Sequence, residues 1–450
     1  MGILFLVLFT TAEIALVVLT FTKFREKAAW RKNRMIIRAA ETILLLGIIL
    51  IPSTNMKWRF FGALFVLAVR LLIAVIARAV TRKKTNSLRK KSATVISCVL
   101  SVVLIALSLV PAFIFTNYNG LPVTGKYNVK EADAILVDKN RLDEFENDGS
   151  FREVPVHFYY PENPDGEFPL VVFSHGAFGY YQSNFSTYTE LASNGYTVAA
   201  LDHPHHSFFT TDTDGKTVTV DTVFIEEVMG INEQTTDEEV YKLSQSWLKL
   251  RVDDENFVLD TVKAAKESKT LDDTWHTGDK TLILSILEKT DTGKTGLIGH
   301  SLGGAASVAL GRERRDIDAV IDLDGTMLGE RKDVKNGKNV YFSEPYPVPL
   351  LDFTKETDYN DREHYKNEKG FPYVNEYVTG KAKDSKTVVF SGVEHMDFTD
   401  LPLISPFAAK MLGSGDVDHE DTLNTVNGIV LNWFDYYLKN EGTLDIKARY

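Results

Sequence analysis

The sequence predicts two dissimilar parts. Residues 1–116 read as an all-α membrane domain of four helices, and residues 117–450 as an α/β domain with a mostly parallel sheet wrapped by helices on both faces. Three observations predict this. Four long apolar runs crowd into the start of the chain, separated by short basic loops. Beyond them, short wholly apolar runs alternate with segments of helical period. Charge divides at the same place: residues 1–117 carry 17 Lys and Arg against Glu13, Glu26 and Glu41, a balance of +14, and the remainder carries 33 bases against 58 acids, or −25. The overall −11 of this 450-residue chain describes neither part. Its aromatic content, its 29 glycines without period and its single Cys exclude a disordered chain, a collagen-like repeat and a disulfide scaffold.

The apolar runs are 2–22, 36–52, 60–80 and 93–115, each near the roughly 17–25 residues that a helix needs to cross a bilayer. The second is the shortest. The charges of the first, Lys23, Arg25 and Lys27, follow the run rather than precede it, so it reads as a span and not as a cleaved leader. The first and third loops hold seven Lys or Arg each, the second only Lys57 and Arg59, and the segment after Phe115 none until Lys126. Basic loops stay cytoplasmic. Both termini, and with them the acidic domain, are therefore expected on the outer side of a cell membrane. Cys98 falls inside the fourth run, which leaves the exported part without a thiol to oxidise. Glu13 and Arg70 lie near the middle of the first and third runs, where an ionisable group is costly unless paired, and they form a candidate pair. No further polar groups continue a path through the membrane, so the expected role of this domain is an anchor.

In the second part, Asn117, Gly120, Pro122 and Gly125 open 117–150 as a short stalk. Residues 154–160 alternate as a strand that stops at Pro161, and 169–174 (Pro-Leu-Val-Val-Phe-Ser) is apolar throughout, as a buried parallel strand should be. A helix over 187–193 and a strand over 196–201 follow. Residues 247–266 have helical spacing, with Leu248, Val252, Phe257, Leu259 and Val262 as the apolar face. A strand ends at 296–299 and a helix continues over 305–311. Residues 319–323, 348–353 and 387–391 read as strands, and 423–438 as a final amphipathic helix. Residues 208–246 and 326–347 break the alternation and read as insertions that cap a site.

The sharpest local pattern is Gly299-His300-Ser301-Leu302-Gly303-Gly304, directly after the apolar Thr295-Gly296-Leu297-Ile298. A serine between glycines can occupy a strand-to-helix turn so tight that bulky neighbours do not fit, which presents its hydroxyl as a nucleophile. A hydroxyl attacks only when a base takes its proton. In this arrangement the chain order is Ser, acid, His, which leaves His364, His395 and His419. His395 stands just past a buried strand, whereas His364 and His419 lie in charged stretches, so His395 is the base. Asp324 follows the strand 319–323 and Asp358 follows the next strand; Asp352 falls inside that strand. Position alone leaves Asp324 and Asp358 open. Acyl transfer also needs donors aimed at the developing oxyanion. The backbone N–H of Leu302 is one, and Ala177 in Ser174-His175-Gly176-Ala177-Phe178-Gly179 supplies the other, with His175 bracing that loop.

At this point the chain resembles the platelet-activating-factor acetylhydrolase group of α/β-hydrolase serine esterases, the single-chain plasma and intracellular type. The resemblance rests on Leu121–Gly125 (Leu-Pro-Val-Thr-Gly), His157-Phe158-Tyr159-Tyr160-Pro161, Phe173-Ser174-His175-Gly176 and Leu191-Ala192-Ser193-Asn194-Gly195-Tyr196. It continues through the serine turn, Leu323-Asp324-Gly325-Thr326-Met327 and Val393-Glu394-His395-Met396-Asp397-Phe398-Thr399-Asp400. It implies an α/β-hydrolase fold, a triad of Ser301, Asp324 and His395 in which the acid is Asp324, no cofactor, and a short acyl ester as substrate, with a phospholipid acetyl group, a lipoprotein or glycan ester and a small xenobiotic ester all open. Ala177-Phe178 departs from the Leu-Gly common in that group, and the four apolar runs lie outside the resemblance.

Other patterns carry less. Asp202-His203-Pro204-His205-His206 has the residue types of a zinc site, yet its place beside the oxyanion loop suits shaping the mouth of the site, and no metal is expected. Gly293-Lys294-Thr295 imitates the end of a phosphate loop, but Glu288 stands where the first glycine belongs and a strand follows, so it reads as a turn. A domain of −25 is a poor nucleic-acid ligand. The basic loops set topology and touch anionic headgroups. The expected function is a membrane-anchored serine esterase; a catalytically silent hydrolase-fold binding or envelope-assembly protein, and a peptidase or thioesterase on the same triad, are the alternatives.

Overall fold

The structure, a computed structural model, describes residues 1–80, 88–162, 165–232 and 234–450. Arg82, Lys83 and Lys84 of the third basic loop lie outside the described residues. The chain divides into two compact units, Met1–Asn119 with Pro402–Met411, and Gly120–Leu401 with Leu412–Tyr450.

The first unit is built from α1 (Gly2–Thr22), α2 (Lys27–Leu50), α3 (Phe61–Val80) and α4 (Lys91–Ser108). Pro402–Met411 joins it through Thr116 N–H, which donates to Ile404 O at 2.8 Å, and Ser405 Oγ, which donates to Ile114 O at 3.0 Å. Three helical segments among the described residues, Gly2–Thr22, Lys57–Val80 and Lys91–Ser108, are long and apolar enough to cross a membrane. By length and composition α2 is not among them. The run 36–52 is only the second half of α2, and Arg34, Arg38 and Glu41 interrupt that helix.

The packing of this unit is inverted relative to a water-soluble bundle. Phe5, Phe9, Leu45, Leu67 and Ile105 form its centre, but Glu13, Arg38, Glu41, Thr94 and Ser101 are buried with them. Ile3, Val7, Ile43, Phe65, Leu72 and Leu100 are exposed. Glu13 Oε1 accepts from Arg70 Nη2 at 2.7 Å and also pairs with Arg38, whose Nη1 reaches Glu41 Oε2 at 2.8 Å. Two guanidiniums thus face two carboxylates, and a buried charge keeps its ionised form only with such partners.

The second unit centres on β1 (Val129–Leu142), β2 (Phe151–Pro161), β3 (Phe168–Ser174), β4 (Thr197–Leu201), β5 (Trp275–His276), β6 (Thr290–His300), β7 (Ala319–Leu323), β8 (Leu350–Lys355) and β9 (Ser385–Phe390). Their order in the sheet is β9-β8-β7-β6-β3-β4-β2-β1-β5. The six strands from β9 to β4 run parallel, and β2, β1 and β5 add antiparallel at one edge. The principal helices are α5 (Phe185–Ser193), α6 (Asp237–Ser268), α7 (Leu302–Glu313) and α8 (His419–Phe434).

Strand period explains the apolar run in β3. Leu170 and Val172 face a core containing Val258 and Leu259 of α6 and Ala305 of α7, while Val171 and Phe173 face a second core with Tyr188 of α5 and Trp433 of α8. Both faces are covered, so every position must be apolar.

Several expectations shift. Residues 117–150, read as a stalk, contain β1, whose inward positions Ala132 and Ala134 are too small to signal a strand. The helix read from 247 begins at Asp237, where a Thr236–Glu239 capping box starts a polar first stretch. Val258, not Phe257, completes its buried face. Gly293-Lys294-Thr295 lies inside β6, where Thr292–Lys294 bulge out of the ladder: Pro169 pairs with Asp291 and the next residue, Leu170, with Thr295. The insertions hold two small hairpins, Phe209–Thr211 with Thr217–Thr219 and Arg331–Lys335 with Lys338–Tyr341, and a helix at Thr222–Gly230.

At the antiparallel edge, His157 of β2 has Nδ1 2.6 Å from Asp133 Oδ1 and Nε2 3.5 Å from Asp202 Oδ2, and its ring stacks on Tyr181. Burial alone pulls the imidazolium down, but the hydrogen bonds and charges of the two aspartates outweigh it and raise the pKa from 6.5 to about 9. The folded pKa lies above the unfolded one. The stabilisation is therefore complete below pH 6.5 and disappears as pH rises to about 9. With Asp133 largely exposed and screened, about 2 kcal/mol is expected to be lost across that window. Urea titrations of the detergent-solubilised chain at pH 6 and 9.5 check this: His157→Gln should flatten the dependence, and an unchanged slope would refute the assignment.

Candidate active site

β6 ends at His300 and α7 begins at Leu302, so Ser301 alone makes the turn, at φ 55° and ψ −120°. A residue with a side chain adopts such a conformation only when its surroundings impose it. Ser301 N–H donates to Leu323 O at 2.9 Å, which ties the turn to β7. A Cβ on Gly299 would strike the backbone of Gly303, and one on Gly303 would strike the carbonyl of Ser174 at the end of β3. Side chains at either position would push α7 off the sheet. Leu302 N–H is the first amide of α7, at the end of a helix where donors lack intrahelical partners.

His395 follows β9 in a loop held by its own aspartates. Asp397 Oδ2 accepts from Glu394 N–H at 2.8 Å and from Gly415 N–H at 2.7 Å, and Asp400 Oδ2 accepts from Ser186 N–H at 2.6 Å. His300 Nε2 lies 3.1 Å from His395 O, and because a carbonyl only accepts, that nitrogen carries a proton. The acids of the segment Val393–Asp400 thus fix the loop that carries His395.

His395 Nδ1 lies 2.7 Å from Asp324 Oδ2. A carboxylate accepts, so Nδ1 is protonated and Nε2 keeps its lone pair, the tautomer a general base needs. Asp324 is the first residue past β7, at φ 54°, with its side chain buried. Its N–H donates to Phe353 O at 3.1 Å, and its Oδ1 accepts from Lys355 N–H at 3.2 Å. Asp358 stands elsewhere, in the first turn of the helix Glu356–Lys369, half exposed, with Lys355 Nζ at 3.3 Å. Asp352 is buried in β8 against Arg362 at 2.9 Å and Asn375 Nδ2 at 2.9 Å. His364 is exposed on the 356–369 helix, and His419 Nδ1 lies 3.1 Å from Asp397 Oδ1.

The loop after β3 lies beside the serine: a Cβ on Gly176 would stand 3.3 Å from Ser301 Cβ and 2.8 Å from His300 Nδ1. Phe178 N–H donates to His206 O at 3.2 Å and Gly179 N–H to Gly176 O at 3.1 Å, whereas Ala177 N–H makes no hydrogen bond among the described residues.

Behind this loop the histidine run is engaged in bracing. His175 Nδ1 is 2.7 Å from Gly176 O and its Nε2 is 2.8 Å from Ser207 Oγ. His203 bridges Ser174 Oγ at 2.9 Å and Asp254 Oδ2 at 3.0 Å. His205 stacks on Phe145 and His206 on Phe224. Burial, then the positive charge of Arg251, lowers the pKa of His203 to about 4 and of His206 to about 2, and holds His175 well below 6.5. All three are neutral at pH 7. Among the described residues no group of three or more His, Cys, Asp or Glu is placed to hold a metal ion.

Sequence reasoning missed the charged residues of α6 beneath this loop. Arg251, Asp254 and Glu255 are fully buried on a helix whose apolar stripe is Leu248, Val252, Leu259 and Val262. Arg251 and Glu255 interrupt that stripe, which is the signal that was available. Asp254 is salt-bridged to Arg152 at 2.8 Å and to Arg141 at 2.8 Å.

A mostly parallel sheet with helices on both faces, a serine on a strained strand-to-helix turn, an acid after the next strand and a histidine after the last together define an α/β-hydrolase fold. Comparison with solved structures agrees: ferulic acid esterase from Streptomyces cinnamoneus superimposes with a TM-score of 0.52 at 20% identity, over 73% of this chain and 96% of that one, a likeness of fold. The chain belongs to the family described as platelet-activating factor acetylhydrolase, isoform II, whose sequence profile matches residues 148–445. It is 23% identical over 313 residues to platelet-activating factor acetylhydrolase of Cavia porcellus, a match covering 65% of this chain and 63% of that protein. The chain thus spans less than two thirds of the length of that relative.

Proposed function

We propose that this chain is a membrane-anchored serine carboxylic-ester hydrolase. The carrying observation is the 2.7 Å contact of His395 Nδ1 with Asp324 Oδ2, in a loop whose His395 carbonyl lies 3.1 Å from Nε2 of His300, the residue before a serine held at φ 55°. In this reading Ser301 Oγ attacks the ester carbonyl as His395 Nε2 takes its proton. The carbonyl π electrons move onto oxygen, and the N–H groups of Leu302 and Ala177 receive the oxyanion. Collapse of the tetrahedral adduct expels the alcohol, which takes the proton from His395. Water, activated by the same imidazole, then releases the acid from the acyl-serine. Asp324 keeps the imidazole in one tautomer and stabilises its cation.

Membership of the family, and the name of the Cavia porcellus relative, support a short acyl ester, on a phospholipid such as a 1-alkyl-2-acetylglycerophosphocholine, as the substrate class. No cofactor is needed for this chemistry. Anchoring in a cell membrane is supported by the inverted packing of the first unit, with apolar side chains outside and paired charges within. We propose that α2 crosses with the other three helices, because Arg38 and Glu41 are buried against partners while Ile43, Leu46 and Leu50 are exposed. With four crossings and basic loops inside, both termini face out of the cytoplasm.

A p-nitrophenyl ester series from acetate to palmitate, run beside the matching anilide, tests the substrate class. Turnover of acetate and butyrate at least tenfold faster than palmitate is expected, with no measurable amide cleavage. Activity confined to long chains, or cleavage of the anilide at a comparable rate, would overturn the short-ester reading. Failure of a fluorophosphonate probe to label Ser301 would point to a binding protein instead.

A further inference from the structure

Arg251 is fully buried on α6, and its guanidinium spans two consecutive backbone carbonyls of the loop after β3. Nη1 donates to His175 O and Nη2 to Gly176 O at 3.3 Å. His175 Nδ1 donates to the same Gly176 oxygen at 2.7 Å. Within the described residues every peptide bond is trans, and in a trans peptide the C=O and the N–H point in opposite directions. Holding Gly176 O toward α6 therefore turns the Ala177 N–H away from α6. That N–H has no partner among the described residues, and Gly176 sits against Ser301.

We propose that Arg251 is a positioning residue for the oxyanion hole, holding the Gly176–Ala177 peptide so that the Ala177 N–H faces the oxygen of the tetrahedral adduct. The proposal rests on the ester-hydrolase reading above and assigns a role to a residue that does not touch substrate. Two physical arguments favour a guanidinium here. Its planar fork reaches two carbonyls at once, which an ammonium cannot do with fixed geometry. Its charge also polarises the peptide it binds, so that the N–H on the far side becomes a stronger donor as negative charge develops. Burying a cation is costly: burial lowers the Arg251 pKa to about 9, and Glu255 and Asp254 on the same helix offset that only in part, so the guanidinium still carries its charge at pH 7. An anchor with no electrostatic task could have been a neutral donor.

The test uses the full chain in detergent and reads kcat, KM and the Ki of an alkyl trifluoromethyl ketone, which adds to Ser301 as a hemiketal anion. Arg251→Met is expected to lower kcat for p-nitrophenyl acetate about 100-fold and Arg251→Lys about 10-fold, with KM within threefold of wild type. The ketone Ki should rise by the same factors, because it samples the same oxyanion. A fall in kcat without a matching rise in Ki, or a rise in KM alone, would show a merely structural residue and overturn the proposal. If the Arg251 variants do not fold, the second anchor of the same carbonyl decides. His175→Asn keeps a donor at the position of Nδ1 but loses the Ser207 contact, and should lose less kcat than His175→Gln, which keeps only the Ser207 contact and should lose about tenfold; equal or reversed losses refute the clamp. A wild-type chain without Ser301-dependent turnover removes the ester-hydrolase reading and the clamp with it. Wild-type turnover with unchanged Arg251→Met removes the clamp alone.

Discussion

Replacing Ser301 by alanine is expected to lower kcat for p-nitrophenyl acetate by about 10⁶-fold and to abolish fluorophosphonate labelling, while leaving the fold intact. The argument is geometric. Ser301 is the single residue between β6 and α7, with φ 55°, and replacing the flanking glycines would push α7 off the sheet. Alanine carries the same Cβ and the same strain, so the turn survives and only the nucleophile disappears. A residual rate about 10³-fold above water is expected from the Leu302 and Ala177 donors acting on a directly attacking water. Active-site titration with the probe, followed by steady-state kinetics on the same preparation, makes the measurement. Equal labelling of wild type and Ser301→Ala would remove the nucleophile assignment.

The second large effect concerns the acid. Asp324→Asn is expected to cost about 10⁴-fold in kcat with KM nearly unchanged. Lys355 N–H donates to Asp324 Oδ1 at 3.2 Å, so in the amide the oxygen stays at that donor and the NH₂ turns toward His395. A donor facing Nδ1 forces the imidazole proton onto Nε2, the nitrogen that must be free to receive the serine proton. Asp358→Asn should change kcat by less than about threefold, since that carboxylate is half exposed and paired with Lys355 Nζ. Asp358→Asn being the more damaging of the two would reverse the assignment.

These predictions bear on how much of the site was legible beforehand. The glycines around Ser301 announce a tight turn because sterics act over neighbouring residues, and the apolar runs of β3, β4 and β7 announce buried parallel strands for the same local reason. Asp324 and Asp358 could not be separated by position, because the choice depends on where β8 and the helix after it lie relative to His395. The strand β1 was missed because alanines mark its inward face. The extent of α6 was underestimated because its first turns are polar, although Thr236 and Glu239 carried a capping signal. In the first unit, Glu13 and Arg70 stood out as charges in apolar runs, while Arg38 was counted with its basic loop; its role appears only when α2 continues the helix past that loop and brings it to Glu13.

By itself the sequence determined the division into a basic apolar part and an acidic α/β part and the strand-to-helix turn at Ser301, since these rest on composition and on short-range sterics. The tertiary structure decided which aspartate meets His395, that the 203–206 histidines brace a loop, and that Arg251 lies behind the peptide of Ala177. The reason is that hydrogen bonds between residues 71 or 75 positions apart depend on the register of a whole sheet, and no local pattern encodes that register.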